Sequence, residues 1–267
     1  MSHALYQFSG GELRPIDWCD PRAGETLVAD SWLVHDARVV ALDQHLDRFA
    51  TSVDATTPLE ETTVEAFFHS VLHQLEGSGL WFPRIEAVAT PGGPILRYRH
   101  RSAPEMTSQV IVAATAEDPR TSPLIKGPDL DALLRLRSSV SSLGASEAIM
   151  VDNSGAVVEG AYSTIVAWLA DREGLAIVPR STPRLPGITE HVVEDIALQQ
   201  GIPVHETILS PEVLENATVW VLSALQGIRQ ATTWINGPLL NQDSTRRDQW
   251  QRLWQERARP VGESQAF

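Results

Sequence analysis

Lysine is almost absent from this chain. Of its 267 residues, 21 are lysine or arginine, and Lys126 is the single lysine among them. Arginine serves wherever a cation on a long stem is enough. A guanidinium, however, keeps its proton and cannot act as an amine nucleophile or base. The scarcity therefore confines amine chemistry to one side chain, which makes Lys126 the candidate nucleophile. Cysteine is equally scarce. Cys19 alone excludes an intrachain disulfide and a cysteine-built metal site. An excess of positive charge is missing too: the formal charge of -13 speaks against nucleic acid or an anionic membrane as partner. No apolar run reaches spanning length, and Met1 to Gly10 has no apolar core of the signal-peptide kind. The expected setting is the cytoplasm.

What is there reads as a globular chain. It is 43% hydrophobic and 21% charged, enough to bury a core in one large domain or two modest ones. Thr26 to Ala29 and Ala37 to Leu42 have strand character, and Leu42 to Val53 has helical character. Val64, Phe67, Phe68, Val71, Leu72 and Leu75 recur at helical spacing, with Gly77 and Gly79 beyond them. Arg84 to Thr90 alternates and stops at Pro91-Gly92-Gly93-Pro94, a strand and a turn. Val110 to Ala114 reads as a buried strand. The polar stretch Glu117 to Pro123 reads as a linker, which divides the chain into 1–116 and 124–267.

The second part repeats the alternation of short strands and helices. Asp129 is placed to cap a helix from Leu130 to Leu143, ending at Gly144. Ala148 to Val151 and Ala156 to Val158 flank Asp152-Asn153-Ser154-Gly155, a hairpin signal. Thr164 to Leu169 and Leu175 to Val178 form a second strand pair, and Thr189 is placed to cap a helix closed by Gly201. Val219 to Leu222 and Thr232 to Ile235 are late strands, and Trp250 to Arg257 a final helix. Strands outnumber helices here, so an antiparallel sheet with packed helices is expected rather than a doubly wound one.

Several motifs invite a chemical reading. Leu185-Pro186-Gly187-Ile188-Thr189 is a turn feeding a helix, whose free amides at Ile188 and Thr189 suit an anion; an ordinary capped helix has the same pattern. Ser223-Ala224-Leu225-Gln226-Gly227 follows a strand and offers a second backbone approach. His69 and His73 share a helix face, but no third metal ligand accompanies them, and an amphipathic helix with a polar edge explains them better. Arg97, Arg99 and Arg101 surround Tyr98 as a basic cluster, expected to be a solvated strand edge rather than a carboxylate site. There is no phosphate-binding loop, dinucleotide fingerprint or Gly-x-Ser-x-Gly elbow.

Taken in order, these segments resemble the class IV aminotransferases, the fold-type IV pyridoxal-phosphate enzymes. That family includes branched-chain and D-amino-acid aminotransferases and 4-amino-4-deoxychorismate lyase. His45-Leu46-Asp47-Arg48-Phe49 resembles the motif whose arginine grips the cofactor phosphate. Lys126, with the helix after it and Gly144 to Asp152, resembles the Schiff-base lysine segment. Gly155-Ala156-Val157-Val158-Glu159-Gly160 resembles the hairpin whose glutamate meets the pyridine nitrogen. Leu185 to Thr189 resembles the phosphate cup, and Ser223-Ala224-Leu225 a second phosphate-side loop. The likeness runs from about Ala29 to Asn236. The chain departs from it at Asp129 and Leu130, where the family carries Asn-Tyr, and at Thr164, where it carries asparagine. His35 and Asp36 stand where the lyases have a threonine pair.

The resemblance implies an α+β/α/β fold of two domains, a smaller N-terminal α/β one and a larger C-terminal one that binds pyridoxal 5'-phosphate, in a homodimer. It implies Lys126 as the catalytic residue, with Arg48, Glu159, Ile188, Thr189, Thr164, Ala224 and Leu225 around the cofactor. The expected activity is amino transfer between a small amino acid and an oxo acid. The lyase reaction, yielding 4-aminobenzoate and pyruvate, is one alternative. A non-catalytic dimer that keeps only the scaffold is another, motivated by Leu130 and Thr164.

Overall fold

The structure is a computed structural model that describes residues 3–17 and 24–263; Cys19 lies outside them. It divides into two compact units. The first takes residues up to 105, with 125–128 and the chain from 257 on; the second takes 106–124 and 129–256.

In the first unit the chain runs β1 (His3–Ser9), β2 (Glu12–Ile16), β3 (Thr26–Ser31), β4 (Val34–His35), β5 (Arg38–Val40), α1 (Leu42–Thr56), α2 (Glu61–His73), β6 (Leu80–Trp81), β7 (Arg84–Val88) and β8 (Ile95–Arg101). Five strands make an antiparallel sheet in the order β2-β1-β8-β7-β3. Apolar residues of α1 recur at helical spacing, so that Leu42, Leu46, Phe49 and Val53 bury one face. Those of α2 do the same with Val64, Phe67, Phe68 and Val71. Both faces meet Ile85, Ala87, Leu96 and Tyr98 of the sheet in one core. Because strand side chains alternate, the other face of the sheet carries Arg84, Glu86, Arg97, Arg99 and Arg101. The expectation of a solvated strand edge fails here. β8 is interior, between β1 and β7, and Arg97 is only 2% exposed.

The second unit contains β9 (Gln109–Thr115), α3 (Leu130–Ser141), β10 (Glu147–Val151), β11 (Val157–Gly160), β12 (Thr164–Trp168), β13 (Leu175–Ile177), α4 (Ile188–Gln199), β14 (Val204–Glu206), β15 (Thr218–Ser223), β16 (Gly227–Ile235) and α5 (Ser244–Gln255). Its eight strands order as β11-β10-β9-β16-β15-β12-β13-β14. The sheet is mixed rather than antiparallel: β9 runs parallel to β10 and β16, and β13 parallel to β14. Helix α3 makes the crossover that joins β9 to β10, and α4 the one that joins β13 to β14, as parallel neighbours require. The hairpin before β11 forms as its sequence predicts. Asp152 Oδ1 accepts the Ser154 and Ala156 amides, at 2.8 and 3.0 Å, and Gly155 takes φ 83°.

β17 (Ala258–Pro260) returns to the first unit and pairs with β5. The units therefore interleave in sequence. β9 and residues 117–123 lie in the second unit, where the sequence division sets β9 in the first domain and 117–123 as a linker. No helix among the described residues is long and apolar enough to cross a membrane.

Candidate active site

In the first unit the candidate residues converge on a carboxylate that the sequence reading passed over. Asp30 sits on β3 with its side chain 1% exposed. Its Oδ1 lies 2.9 Å from His45 Nδ1 and accepts Arg48 Nη2 at 2.9 Å, while Oδ2 accepts Arg48 Nε at 2.9 Å. Helix α1 presents both residues, three apart and so on one face. Lys126 Nζ stands 3.5 Å from Asp30 Oδ1. The lysine backbone is held as well: Lys126 O accepts the Ala29 amide at 2.6 Å. Gly127 makes that approach possible, with φ 145° and an imagined Cβ only 2.8 Å from Val28 Cα.

Burial and charge set the protonation of this cluster. Burial alone would raise Asp30, but Arg48, Lys126 and His45 outweigh it and hold the carboxyl well below the usual range. His45 is pushed down, chiefly by burial, and is neutral at pH 7. Burial takes Lys126 down to about 8; Asp30 opposes the shift, while Arg48 and Arg84 add to it. An amine that titrates near neutrality, with a side chain still 23% exposed, is suited to work as a base and nucleophile. A carboxylate inside the apolar run Leu27 to Val34 was the available sequence signal for Asp30.

In the second unit the remaining candidates gather at one end of the sheet. Glu159 on β11 is 7% exposed, and its Oε1 takes both Arg120 Nη1, in a very short contact, and the Leu185 amide at 3.5 Å. Arg120 is fixed from behind by Asp118, whose two oxygens accept its Nε and Nη2 at 2.8 and 2.7 Å. Burial lifts Glu159 to about 7 against the pull of Arg120. Oε2 takes no partner among the described residues, so it can accept from a protonated ring nitrogen.

Residue 185 leads directly into the helix-start motif. Gly187 is the N-cap of α4, with no side-chain cap, which leaves the first amides of the helix without acceptors inside it. Thr189 is therefore a buried residue within the first turn rather than the cap expected from sequence. Thr164 backs the turn so closely that a Cβ on Gly187 would lie 2.3 Å from its Oγ1. Arg184 braces the same turn with a buried fork to Glu190, at 2.7 and 2.9 Å. The register Thr164↔Leu222 places the turn with Ala224 and Leu225 at this end of the sheet. Within the second unit, the helix start with open amides suits a phosphate and the carboxylate a protonated ring nitrogen; within the first, the depressed lysine suits an aldehyde.

The departures from the family pattern also find their places. Asp129 precedes α3 but does not cap it; its carboxylate accepts the Thr121 and Ser122 amides instead, each at 2.9 Å. Near Leu130, a tyrosine arrives from elsewhere in the chain: Tyr162 Oη donates to the Leu130 carbonyl at 3.0 Å. His69 bonds the Glu65 carbonyl and His73 lies 3.4 Å from Glu76. No group of three metal-ligating side chains occurs among the described residues.

Comparison with known proteins identifies the family and the fold. Residues 27–234 match the family model for amino-transferase class IV. No curated protein matches the chain. Among solved structures it is similar to a fold IV transaminase from Curtobacterium pusillum, with 17% identity, TM-score 0.79 and 96% and 98% of the two chains covered. A hypothetical aminotransferase from Mycobacterium tuberculosis in its PLP-bound form gives 17%, 0.80, and 95% and 98%. A branched-chain aminotransferase from Thermoproteus uzoniensis with norvaline gives 18%, 0.78, and 97% and 99%. At these identities the structures establish the shared fold, and the family model, spanning most of the sequence, establishes the lineage. The chain belongs to the class IV aminotransferases, pyridoxal-phosphate-dependent enzymes of fold type IV.

Proposed function

We propose that this protein is a pyridoxal-phosphate-dependent aminotransferase that moves an amino group between a small amino acid and an oxo acid. The observation that carries the reading is Lys126, the single lysine of the chain, brought down to about 8 within reach of Asp30. When bound, the cofactor supplies the electron sink for the carbanion at the substrate Cα. Lys126 would be the residue to hold the cofactor's aldehyde end, and its amine, when free, would be the base that takes the substrate Cα proton. At pH 7 to 8 a useful share of that amine is neutral, as a general base requires. Glu159 Oε2 would accept a hydrogen bond from the protonated ring nitrogen, its negative charge favouring the protonated form. Arg48, aimed by its fork to Asp30, offers charge to the phosphate, and the amides of Ile188 and Thr189 offer hydrogen bonds. Thr164 and the turn of Ala224 and Leu225 support that end of the second unit's sheet.

The likeness of Ser223-Ala224-Leu225-Gln226-Gly227-Ile228 to the deoxychorismate lyases favours elimination as the second reading. A cytoplasmic homodimer is the setting that the family resemblance and the cysteine-poor composition support. The test is exchange of a donor's Cα proton for solvent deuterium by the cofactor-loaded protein, followed by transfer to an oxo acid. Exchange with transfer is expected. Pyruvate from aminodeoxychorismate without transfer would favour the lyase, and no exchange with any donor would favour the non-catalytic scaffold.

A further inference from the structure

The start of α4 carries a carboxylate at the turn to which the reading above assigns the cofactor phosphate. With Gly187 as N-cap, Ile188, Thr189 and Glu190 are the first three residues of the helix. A glutamate in that third position ordinarily reaches back to the N-cap amide, and its charge is drawn to the positive end of the helix dipole. Left to itself, Glu190 would close the helix start and repel an incoming anion. The structure turns it away. Both its oxygens are held in a fork by Arg184, Oε2 accepting Nη1 at 2.7 Å and Oε1 accepting Nη2 at 2.9 Å. Arg184 Nη2 also donates to the Val178 carbonyl at 3.0 Å, which anchors the guanidinium just beyond β13. The pair is buried, Arg184 6% and Glu190 5% exposed, so salt and solvent screen it little. In the same guanidinium, Arg184 Nε is buried with no hydrogen-bond partner among the described residues.

Bracing alone does not call for charge. A buried ion pair gives up solvation on both sides, and well-packed apolar residues in its place are often as stable. What the charged pair adds at this place is control over the sign of the charge at the helix start. We propose that Arg184 is a positioning residue for the cofactor phosphate, holding Glu190 in the fork so that the Ile188 and Thr189 amides stay open to that anion; the inference rests on the reading of this turn given above. A phosphate monoester carries about −1.5 to −2 charges at pH 7. Beside a free Glu190 carboxylate it would meet a like charge where screening is poor. Beside the fork it meets a neutral pair, with an N–H of Arg184 still to give. The two roles differ in what they predict. If the fork only braces the turn, losing either partner has the same effect. If Arg184 governs the anion, losing the arginine and losing the glutamate act in opposite directions.

The test is calorimetric titration of the full chain, freed of any bound cofactor, with pyridoxamine 5'-phosphate and with pyridoxamine. Neither ligand has an aldehyde, so neither needs the Lys126 amine, and the ratio of the two affinities isolates the phosphate. Arg184→Met is expected to lower that ratio about tenfold, the order of a charge at a partly buried helix start, because Glu190 is released onto the amides. Glu190→Gln is expected to keep the ratio or raise it. The double variant Arg184→Met/Glu190→Gln, with neither charge, should recover most of the loss. Equal weakening in the two single variants, or an unchanged ratio in Arg184→Met, would overturn the inference. If Arg184→Met does not fold, the double variant decides: a ratio near the parent's supports the inference, and one about tenfold below it overturns it. A parent that binds both ligands alike has no phosphate site at this turn, and the reading of the turn falls with the inference. A pyridoxyl adduct on Lys126 together with equally weakened single variants overturns this inference alone. The predicted ratios without an adduct would sink the reading of the lysine and leave this one standing.

Discussion

Lys126 Nζ lies 3.5 Å from Asp30 Oδ1, the same oxygen that meets His45 and Arg48. One carboxylate therefore serves two assigned roles, steering the arginine and holding the lysine. Asp30 favours the ammonium form of Lys126, whereas burial, Arg48 and Arg84 oppose it. Asp30→Asn should lower the titration midpoint of Lys126 below its present value of about 8. With a single lysine, the pH dependence of amine acylation, read on the Lys126 peptide, reports this directly. An unmoved or raised midpoint would show that Asp30 does not tune the amine.

Acid stability should depend on the same cluster. Asp30 is held below its ordinary value in the fold, so its contribution is present above the unfolded pKa of ~3.9 and lost as pH falls towards the folded value. His45 is also depressed, so the unfolded chain binds a proton below pH ~6.5 that the fold refuses, and stability declines there first. At pH 7, Asp30→Asn leaves two cations facing a neutral amide and should cost about 3–5 kcal/mol, as for a broken buried pair. The deficit should shrink below pH 4. Denaturant melts of parent and variant between pH 3 and 8 give both numbers.

Glu159 predicts the opposite slope. Burial raises it from 4.5 to about 7, so between these values the fold holds a proton that the unfolded chain has released. Its contribution is full below 4.5 and is lost as pH rises through 7. Glu159→Gln should flatten that decline, and it should weaken cofactor binding by removing the negative charge that favours a protonated ring nitrogen. Equal pH slopes in the two proteins would contradict the assignment.

What the sequence shows and hides follows from the range of the interactions. α1, α2 and the hairpin before β11 are legible because their periods and turn residues are local. The cluster at Asp30 is not: its partners lie 15, 18 and 96 residues away, and only the packing of α1 on β3 and the return of the chain at 126 bring them together. Thr189 looks like a cap because threonine commonly caps, but Gly187 takes that place where Thr164 leaves no room for a side chain. The basic cluster around Tyr98 looks solvated because arginines usually are. Which strands flank β8 decides its burial, and strand order is a property of the whole sheet.

The contact between Thr164 and Gly187 makes a steric prediction. Gly187→Ala would set a methyl 2.3 Å from Thr164 Oγ1, so one of them must shift. A cost of about 1–3 kcal/mol is expected, as for overpacking elsewhere. Thr164→Ala should recover much of it in the double variant, and a double-mutant cycle measures the coupling. Strict additivity would contradict the predicted clash.

Tyr162→Phe isolates the bond that ends at Leu130. Losing its 3.0 Å donation to the carbonyl should cost about 1 kcal/mol in a denaturant melt. A larger fall in cofactor affinity than in stability would assign the hydroxyl a part in the site as well.

The most direct test of the central claim is borohydride reduction of the purified, pyridoxal-phosphate-incubated protein, followed by peptide mass mapping. Amines are so few that the answer is unambiguous: the adduct can fall on Lys126 or on the N-terminal amine. A pyridoxyl group on the Lys126 peptide, with a visible absorbance band that reduction removes, is the predicted result. A protein with no band and no mass shift at Lys126 would contradict the claim that this lysine carries the cofactor.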